Sequence, residues 1–337
     1  MFVRSRFPSM RSATLDQFIR PLAQRLDADK MAALGIETTM DVARAYNRWQ
    51  WGRFEDHRRE LFEHRLEELL AGNDSTRRPQ TNLDDGFHLD TTHSLPHLDE
   101  LLAEGDRVIA EHARRNPADD RYRAFFRNIV PPENLRRFPA LLKFITSSAV
   151  LEIVARYLGY IPCLSAWVPE GVRFVESGME FDAQSHLPPR DSQLYHIDPY
   201  CSPMVYVIVL LRDTAMENGP FTWMGARASD MVKSATGYWR KGRGYRLTDE
   251  QVYDVVGQKS EHRLIYPAGT VFFCDTSRCL HFGSRHAVKP RYQMMYGLMS
   301  PCRSDFTDSL KRGYTYPDHD SGSALRRLVL NKEFLCA

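Results

Sequence analysis

The sequence has no apolar run long enough to span a membrane. Its longest uninterrupted apolar stretch, 204–211, has eight residues, whereas a helix that crosses a bilayer needs about 20. The first residues include two arginines, but no apolar run of signal-peptide length follows them. We therefore expect no membrane partner and a cytoplasmic location.

The sequence also lacks a large excess of charge of one sign and any cysteine spacing typical of a metal site. The formal net charge is only +2, which argues against a protein that binds nucleic acids through general electrostatic attraction. The six cysteines, at positions 163, 201, 274, 279, 302 and 336, show no spacing typical of a zinc site. Reduced thiols in a cytoplasmic protein are the simplest interpretation.

One short motif, His196-Ile197-Asp198, has the residue types of a metal site. On an extended strand, side chains two positions apart project from the same face. An imidazole and a carboxylate placed in this way are two of the three ligands of the facial triad that holds non-haem Fe(II). The same motif occurs at 88–90 and 97–99. No β-rich run follows those copies, so we expect a loop or a helix cap there.

The chain after residue 162 has the pattern of short strands separated by glycine and proline turns. The strand-like segments are 163–168, 172–176, 193–198, 204–211, 220–224, 263–267, 270–274 and 291–299. Such a series predicts a sandwich, jelly roll or barrel. The basic segment 228–260 interrupts the series and is expected to be an insertion that covers a pocket mouth.

The preceding part of the chain has mostly helical periodicity. We divide the sequence into a mainly helical region 1–120, a β-rich core 121–305 that contains the insertion, and a C-terminal tail 306–337 with a short helix. The polar stretch 73–98 has turn-forming residues and is expected to be a loop or a mobile lid. Neither this stretch nor the insertion has the apolar periodicity expected of core-forming segments.

The best-placed third ligand is His281. It follows the hairpin-like sequence Pro267-Ala268-Gly269, and a strand with Arg291 at its start comes soon after it. Three protein ligands leave room on the metal for an organic acid cosubstrate, whose far carboxylate needs a cation. We favour Arg291 because a strand holds a planar guanidinium in a fixed register. Arg285, in a loop, is the rival.

These residues together resemble the phytanoyl-CoA dioxygenase family. The resemblance rests on 196–198, 217–227, 267–271, His281 and Arg291, and it covers roughly residues 120–300. It implies an α+β protein with a double-stranded β-helix (jelly-roll, cupin-like) core, around which N-terminal helices pack.

The resemblance also implies a reaction and a set of roles. The chain is expected to use Fe(II), 2-oxoglutarate and dioxygen to hydroxylate an unactivated C–H bond of a small molecule, with release of succinate and CO2. The metal ligands would be His196, Asp198 and His281. The residues assigned to the cosubstrate are Arg291, Gln193, Tyr206 and Thr222.

Two other functions use the same residues. Two histidines and an aspartate also suit Zn(II), which would give a hydrolase with a metal-bound water. A jelly roll that only binds a sugar or another ligand is the second alternative. The hydrolase would leave Arg291 without a role, and the binding protein would show neither tight Fe(II) binding nor cosubstrate turnover.

Overall fold

A computed structural model describes residues 33–71, 82–113, 126–167, 170–177, 188–305, 313 and 315–330. Its helices are α1 (Ile36–Ala71), α2 (Leu98–Ala113), α3 (Pro139–Ile145), α4 (Ser148–Leu158), α5 (Ala226–Thr236), α6 (Asp249–Val256) and α7 (Ala324–Leu330). Its strands are β1 (Phe87–Asp90), β2 (Arg127–Asn128), β3 (Cys163–Leu164), β4 (Val172–Ser177), β5 (Val205–Leu210), β6 (Thr222–Trp223), β7 (His262–Arg263), β8 (Val271–Cys274), β9 (His281–Phe282) and β10 (Arg291–Met299).

Two antiparallel sheets form the core. The larger sheet has the order β1-β8-β5-β10-β4-β2, with β3 also pairing to β10. The smaller has the order β7-β6-β9, and bridges from His196 to His281 and from Tyr195 to Leu247 extend it beyond β9. From β4 onward the chain passes repeatedly from one sheet to the other. This is the predicted double-stranded β-helix, with helices beside it, in an α+β fold.

The two faces of the larger sheet pack against different parts of the molecule. On β5, Val205, Val207 and Val209 face the apolar cluster that contains the helices, because alternate side chains point to opposite sides. Tyr206 and Ile208 instead point into the space between the sheets. We call this second side the interior face. Burial on both sides explains why β5 is apolar throughout.

Strand β1 corrects the prediction of a loop at 73–98. Its four residues pair with β8 at the edge of the larger sheet. The Phe87 ring packs edge-on against Trp223 with centroids 5.4 Å apart, and Leu89 packs against the interior cluster. Two apolar residues among polar neighbours were too weak a pattern to indicate a strand. Residues 73–81 lie outside the described part of the chain.

The insertion 228–260 also differs from the expectation. It contains most of α5 and all of α6, and its buried side chains Val232, Tyr238 and Val252 join an apolar cluster with Ile197 and Leu280. The segment therefore builds core behind the smaller sheet. Its cover over the pocket mouth stays a prediction.

Helix α1 is fastened to the rest of the molecule by buried polar side chains. The Asn47 amide donates to the carbonyls of Arg303 and Asp305 at 2.7 and 2.6 Å. The Arg58 guanidinium donates to three further carbonyls, those of Ile161, Pro162 and Leu328. Both α1 and β1 thus contact the core, while the domain boundary at residue 120 stays a prediction. Among the described helices, none combines the length and apolarity needed to cross a membrane.

Candidate metal centre

The backbone brings His196 and His281 side by side. The His196 N–H donates to the His281 carbonyl at 3.0 Å, and the His281 N–H donates back to the His196 carbonyl at 2.9 Å. The two imidazole centroids lie 4.4 Å apart. The Asp198 N–H donates to the Thr276 carbonyl at 2.8 Å, which fixes the chain two residues beyond His196.

One atom from each of these three side chains can reach a common point. The ligand atoms of His196, Asp198 and His281 all lie within 4.8 Å of one another. Within the described ranges this is the only such group of three or more histidine, cysteine or acidic residues. The copy at 88–90 lies on β1 and the copy at 97–99 lies at the start of α2, and neither belongs to a group of this kind.

Both imidazoles are held in the orientation that a metal needs. His196 Nδ1 lies 2.8 Å from the Leu194 carbonyl, and His281 Nδ1 lies 2.9 Å from the Cys279 carbonyl. Because a carbonyl oxygen only accepts, each Nδ1 carries the proton and each Nε2 keeps a free lone pair. Metal-binding histidines usually donate their other ring N–H to a carbonyl or carboxylate in this way.

Burial keeps the two imidazoles neutral. The side chains are 6% and 5% exposed. Desolvation lowers the pKa of His196 well below its ordinary value, and the neighbouring His281 lowers it further. Desolvation also lowers the pKa of His281, although the Asp198 carboxylate, 3.6 Å from Nε2, opposes the shift. The Phe221 ring stacks on His281 at 5.3 Å and shields this side of the group.

Arg291 is a buried cation without a buried anion. It is 2% exposed, and it donates to the Gly219 carbonyl and, at 3.1 Å, to Ser177 Oγ. Its Nε is buried without a hydrogen-bond partner, and no described carboxylate pairs with the guanidinium. Burial lowers the pKa of Arg291 to about 10, so the group still carries its charge at neutral pH.

The rival Arg285 already has a carboxylate. Its Nη1 lies 2.7 and 2.9 Å from the two Asp249 oxygens, and its Nε donates to the Gln193 carbonyl. The guanidinium also covers the Phe282 ring at 3.5 Å. The position of Arg285 is therefore explained by contacts within the protein.

Of the other three residues assigned to the cosubstrate, two already have hydrogen-bond partners within the protein. Gln193 uses both ends of its amide on backbone, donating to the Ser284 carbonyl at 2.9 Å and accepting from the Arg190 N–H at 3.3 Å. Thr222 donates to the Pro220 carbonyl at 3.2 Å. Tyr206 lies on the interior face.

The sequence reasoning missed three polar residues of the interior face. Ser177 contacts Arg291, Arg173 lies further along β4, and Gln293 follows Arg291 by two positions on β10. The Oε1 atom of Gln293 is buried without a partner. Alternation along 291–299 was the available signal, since it places residue 293 on the same face as residue 291.

No family model matches the chain. No curated protein matches it either. Solved structures with some likeness include the non-heme alpha ketoglutarate dependent epimerase SnoN from nogalamycin biosynthesis, at 15% identity over 70% of this chain and 82% of that one, with a TM-score of 0.39. The corresponding values for the non-heme alpha ketoglutarate dependent carbocyclase SnoK are 13%, 64%, 79% and 0.40.

EctD from S. alaskensis with bound Fe is 14% identical, over 69% of this chain and 81% of that one, with a TM-score of 0.42. Values this low carry no argument about the reaction or substrate of the present chain. Its fold follows from its own sheet topology, and its candidate site from its own geometry.

Proposed function

We propose that this chain is a non-haem Fe(II)- and 2-oxoglutarate-dependent oxygenase of the phytanoyl-CoA dioxygenase type. The proposed reaction hydroxylates an unactivated C–H bond of a small molecule and releases succinate and CO2. One observation carries the proposal. The space between the sheets contains both a buried His-Asp-His group and a buried arginine with which no described carboxylate pairs.

The donor set fits Fe(II). Two neutral imidazoles and one carboxylate are the facial triad of this enzyme class, and they leave metal positions open for other ligands. When bound, the iron and 2-oxoglutarate would supply the oxidising chemistry, in which dioxygen is reduced, the keto acid becomes succinate and CO2, and one oxygen atom enters the substrate.

The protein residues would hold and orient these groups. The His196 and His281 imidazoles present Nε2 because Nδ1 is fixed by backbone carbonyls, and Asp198 supplies the charge. Arg291 would pair with the distal carboxylate of 2-oxoglutarate, which would offset the cost of a lone buried cation. The Gln293 amide, two positions along β10, would contact the same molecule.

Arg291 separates this proposal from the two alternatives. A zinc hydrolase and a ligand-binding jelly roll both leave its charge without a function. An organic diacid explains why the cation is buried, why it sits at the start of a rigid strand, and why no side chain of the described part of the chain neutralises it.

The net charge and the cysteines bear on the substrate class and the location of the protein. A small-molecule substrate, rather than nucleic acid or membrane, fits the near-zero net charge. Five of the cysteines are described, and all five are buried and free. Free thiols support a cytoplasmic location, where disulfides are rare.

Anaerobic addition of Fe(II) and 2-oxoglutarate tests the proposal. The full chain should show a weak visible charge-transfer band that needs both additions, and air should then yield succinate. His196→Ala should abolish the band, while His88→Ala, in the copy of the motif on β1, should keep it. A protein that binds Fe(II) without the 2-oxoglutarate-dependent band, or that forms no succinate with any substrate, would refute the assignment.

A further inference from the structure

A second buried arginine, Arg173, lies on the interior face. It is 9% exposed, on the same side of β4 as Val175 and Ser177. Its Nε is buried without a hydrogen-bond partner, and no carboxylate of the described residues pairs with it. The proposed function gives this residue no role, because Arg291 already serves the cosubstrate.

Two aromatic rings hold the Arg173 guanidinium in place. Its central carbon lies 5.1 Å from the centroid of Phe126 and 5.1 Å from that of Tyr206. Gly297 leaves room for this arrangement, since a Cβ there would lie 3.1 Å from the Tyr206 ring. The planar group is therefore fixed before any ligand arrives, although none of its donors has a partner in the described structure.

Arg173 lies at the metal end of the larger sheet. Tyr206, against which it packs, pairs with Cys274 on β8. The chain then continues to Thr276, whose carbonyl accepts the backbone N–H of Asp198.

Arg291 lies at the other end of β4. β10 pairs Arg291 with Ser177 and Met295 with Arg173, so the two arginines are four residues, or roughly 13 Å of strand, apart. Each end of the interior face therefore has a cation with which no carboxylate of the described residues pairs.

The Tyr206 hydroxyl adds a neutral donor beside this cation. No described residue hydrogen-bonds it, and burial raises the pKa of Tyr206 to about 12, so the proton stays on the oxygen. Met295, Phe126 and Tyr200 pack in the same cluster, and the charges of Asp198, Arg303 and Glu170 also act on the Tyr206 hydroxyl. A planar cation, a neutral donor and apolar walls match a carboxylate attached to an apolar body.

We propose that Arg173 binds the carboxylate of the substrate together with Tyr206, which the sequence analysis had assigned to the cosubstrate instead, and that the substrate is a monocarboxylic acid with an apolar body. The inference rests on the proposed function and names the substrate class of the same site. Arg173 would orient the acid so that its apolar part lies beside the His-Asp-His group.

The test uses the full chain loaded with Zn(II) and 2-oxoglutarate. Zn(II) should not support the oxidation, so binding can be measured without turnover. Metal and cosubstrate binding are measured first, and their failure would count against the proposed function alone. The probes are 3-phenylpropionate and octanoate, each compared with its primary amide by ligand-observed NMR. At least one acid should bind the wild type, and its amide should bind at least tenfold more weakly.

Arg173→Met should weaken acid binding at least tenfold and leave the 2-oxoglutarate dissociation constant within twofold, while Arg173→Lys should lose less. Arg127→Met is the matched control, because Arg127 pairs with Glu176 on the opposite face of the same sheet. Melting temperatures confirm that each variant is folded.

Three results would overturn the inference. They are a loss of 2-oxoglutarate affinity in Arg173→Met, equal binding of acid and amide, and the absence of acid binding to the loaded wild type.

Discussion

At the scale of single residues, the candidate site is decided by which polar groups have partners. Arg285 was the rival of Arg291 in the sequence, but its charge is paired with Asp249 and its Nε donates to the Gln193 carbonyl, although its Nη2 is buried without a partner. No carboxylate of the described residues pairs with the Arg291 guanidinium, whose Nε is also buried without a partner. Because a buried charge without a counter-ion is costly, its retention points to an anionic ligand.

Cosubstrate binding should therefore depend on Arg291 and not on Arg285. With a divalent metal present, saturating 2-oxoglutarate should raise the melting temperature of the wild type and of Arg285→Met. It should leave Arg291→Met unchanged, because loss of one partner of a buried charge pair costs roughly 2–5 kcal/mol of binding. Differential scanning fluorimetry measures this. The reverse pattern would make Arg285 the anchor.

The two buried imidazoles predict acid sensitivity of the metal-free protein. Their pKa values are lowered in the folded state, so below pH about 6.5 the unfolded chain binds more protons than the folded one. The free energy of unfolding should fall by up to about 1.4 kcal/mol per pH unit for each histidine that stays neutral.

Urea denaturation of the apoprotein at pH 7.0 and 5.5 measures this slope. His196→Asn should lessen it by about one proton. A variant with the wild-type slope would show that His196 does not stay neutral on folding.

At the scale of elements, the sequence predicted strands well where burial is two-sided. The predicted strand 291–299 has the same bounds as β10, and 204–211 contains β5. Long apolar or alternating runs specify such strands without help from distant residues. Strand β1 was missed because its pairing partner, β8, lies far along the chain and its own four residues include only two apolar ones.

The candidate site residues also differ in how far the sequence could place them. His196, Asp198, His281 and Arg291 were predictable because they stand next to recognisable strands and turns. Arg173 was not, since an arginine in a strand usually faces solvent, and only the pairing of β4 with β10 places it inside. The prediction for the insertion was wrong for a similar reason. Its scattered apolar residues become core residues only because they pack behind the smaller sheet.

The side-chain cap at the start of helix α3 leads to a stability prediction at this scale. The Glu104 carboxylate on α2 accepts from the N–H groups of Ala140 and Leu141 at 2.6 and 3.3 Å, in the first turn of α3. Glu104→Ala leaves these buried donors unsatisfied and should cost about 1–3 kcal/mol of unfolding free energy. Glu100→Ala, which removes an exposed ion pair with Lys143 on the same two helices, should cost clearly less, because exposed ion pairs contribute little to stability. Chemical denaturation compares them, and equal losses would contradict the capping role.

At the scale of the whole molecule, helix α1 and the segment that follows β10 hold each other in place. Asn47→Ala would leave the carbonyls of Arg303 and Asp305 without their amide donor in a buried site. We expect a loss of about 2–4 kcal/mol in unfolding free energy, seen as a lower urea midpoint with an unchanged slope. Exposed Glu60 on the same helix is the control, and Glu60→Ala should have little effect. A similar midpoint for both variants would mean that α1 is only loosely attached.

The backbone bonds between His196 and His281 have a practical consequence for anyone who purifies this protein. They bring the two imidazoles together through the backbone, so we expect the metal-free protein to present these groups to whichever divalent metal is abundant. First-row ions bind such donors in a fixed order, in which Fe(II) ranks below Co, Ni, Cu and Zn. Metal picked up from culture medium or an affinity column should therefore displace or exclude iron. Inactive preparations should recover after chelation and anaerobic reloading, and elemental analysis should accompany every rate.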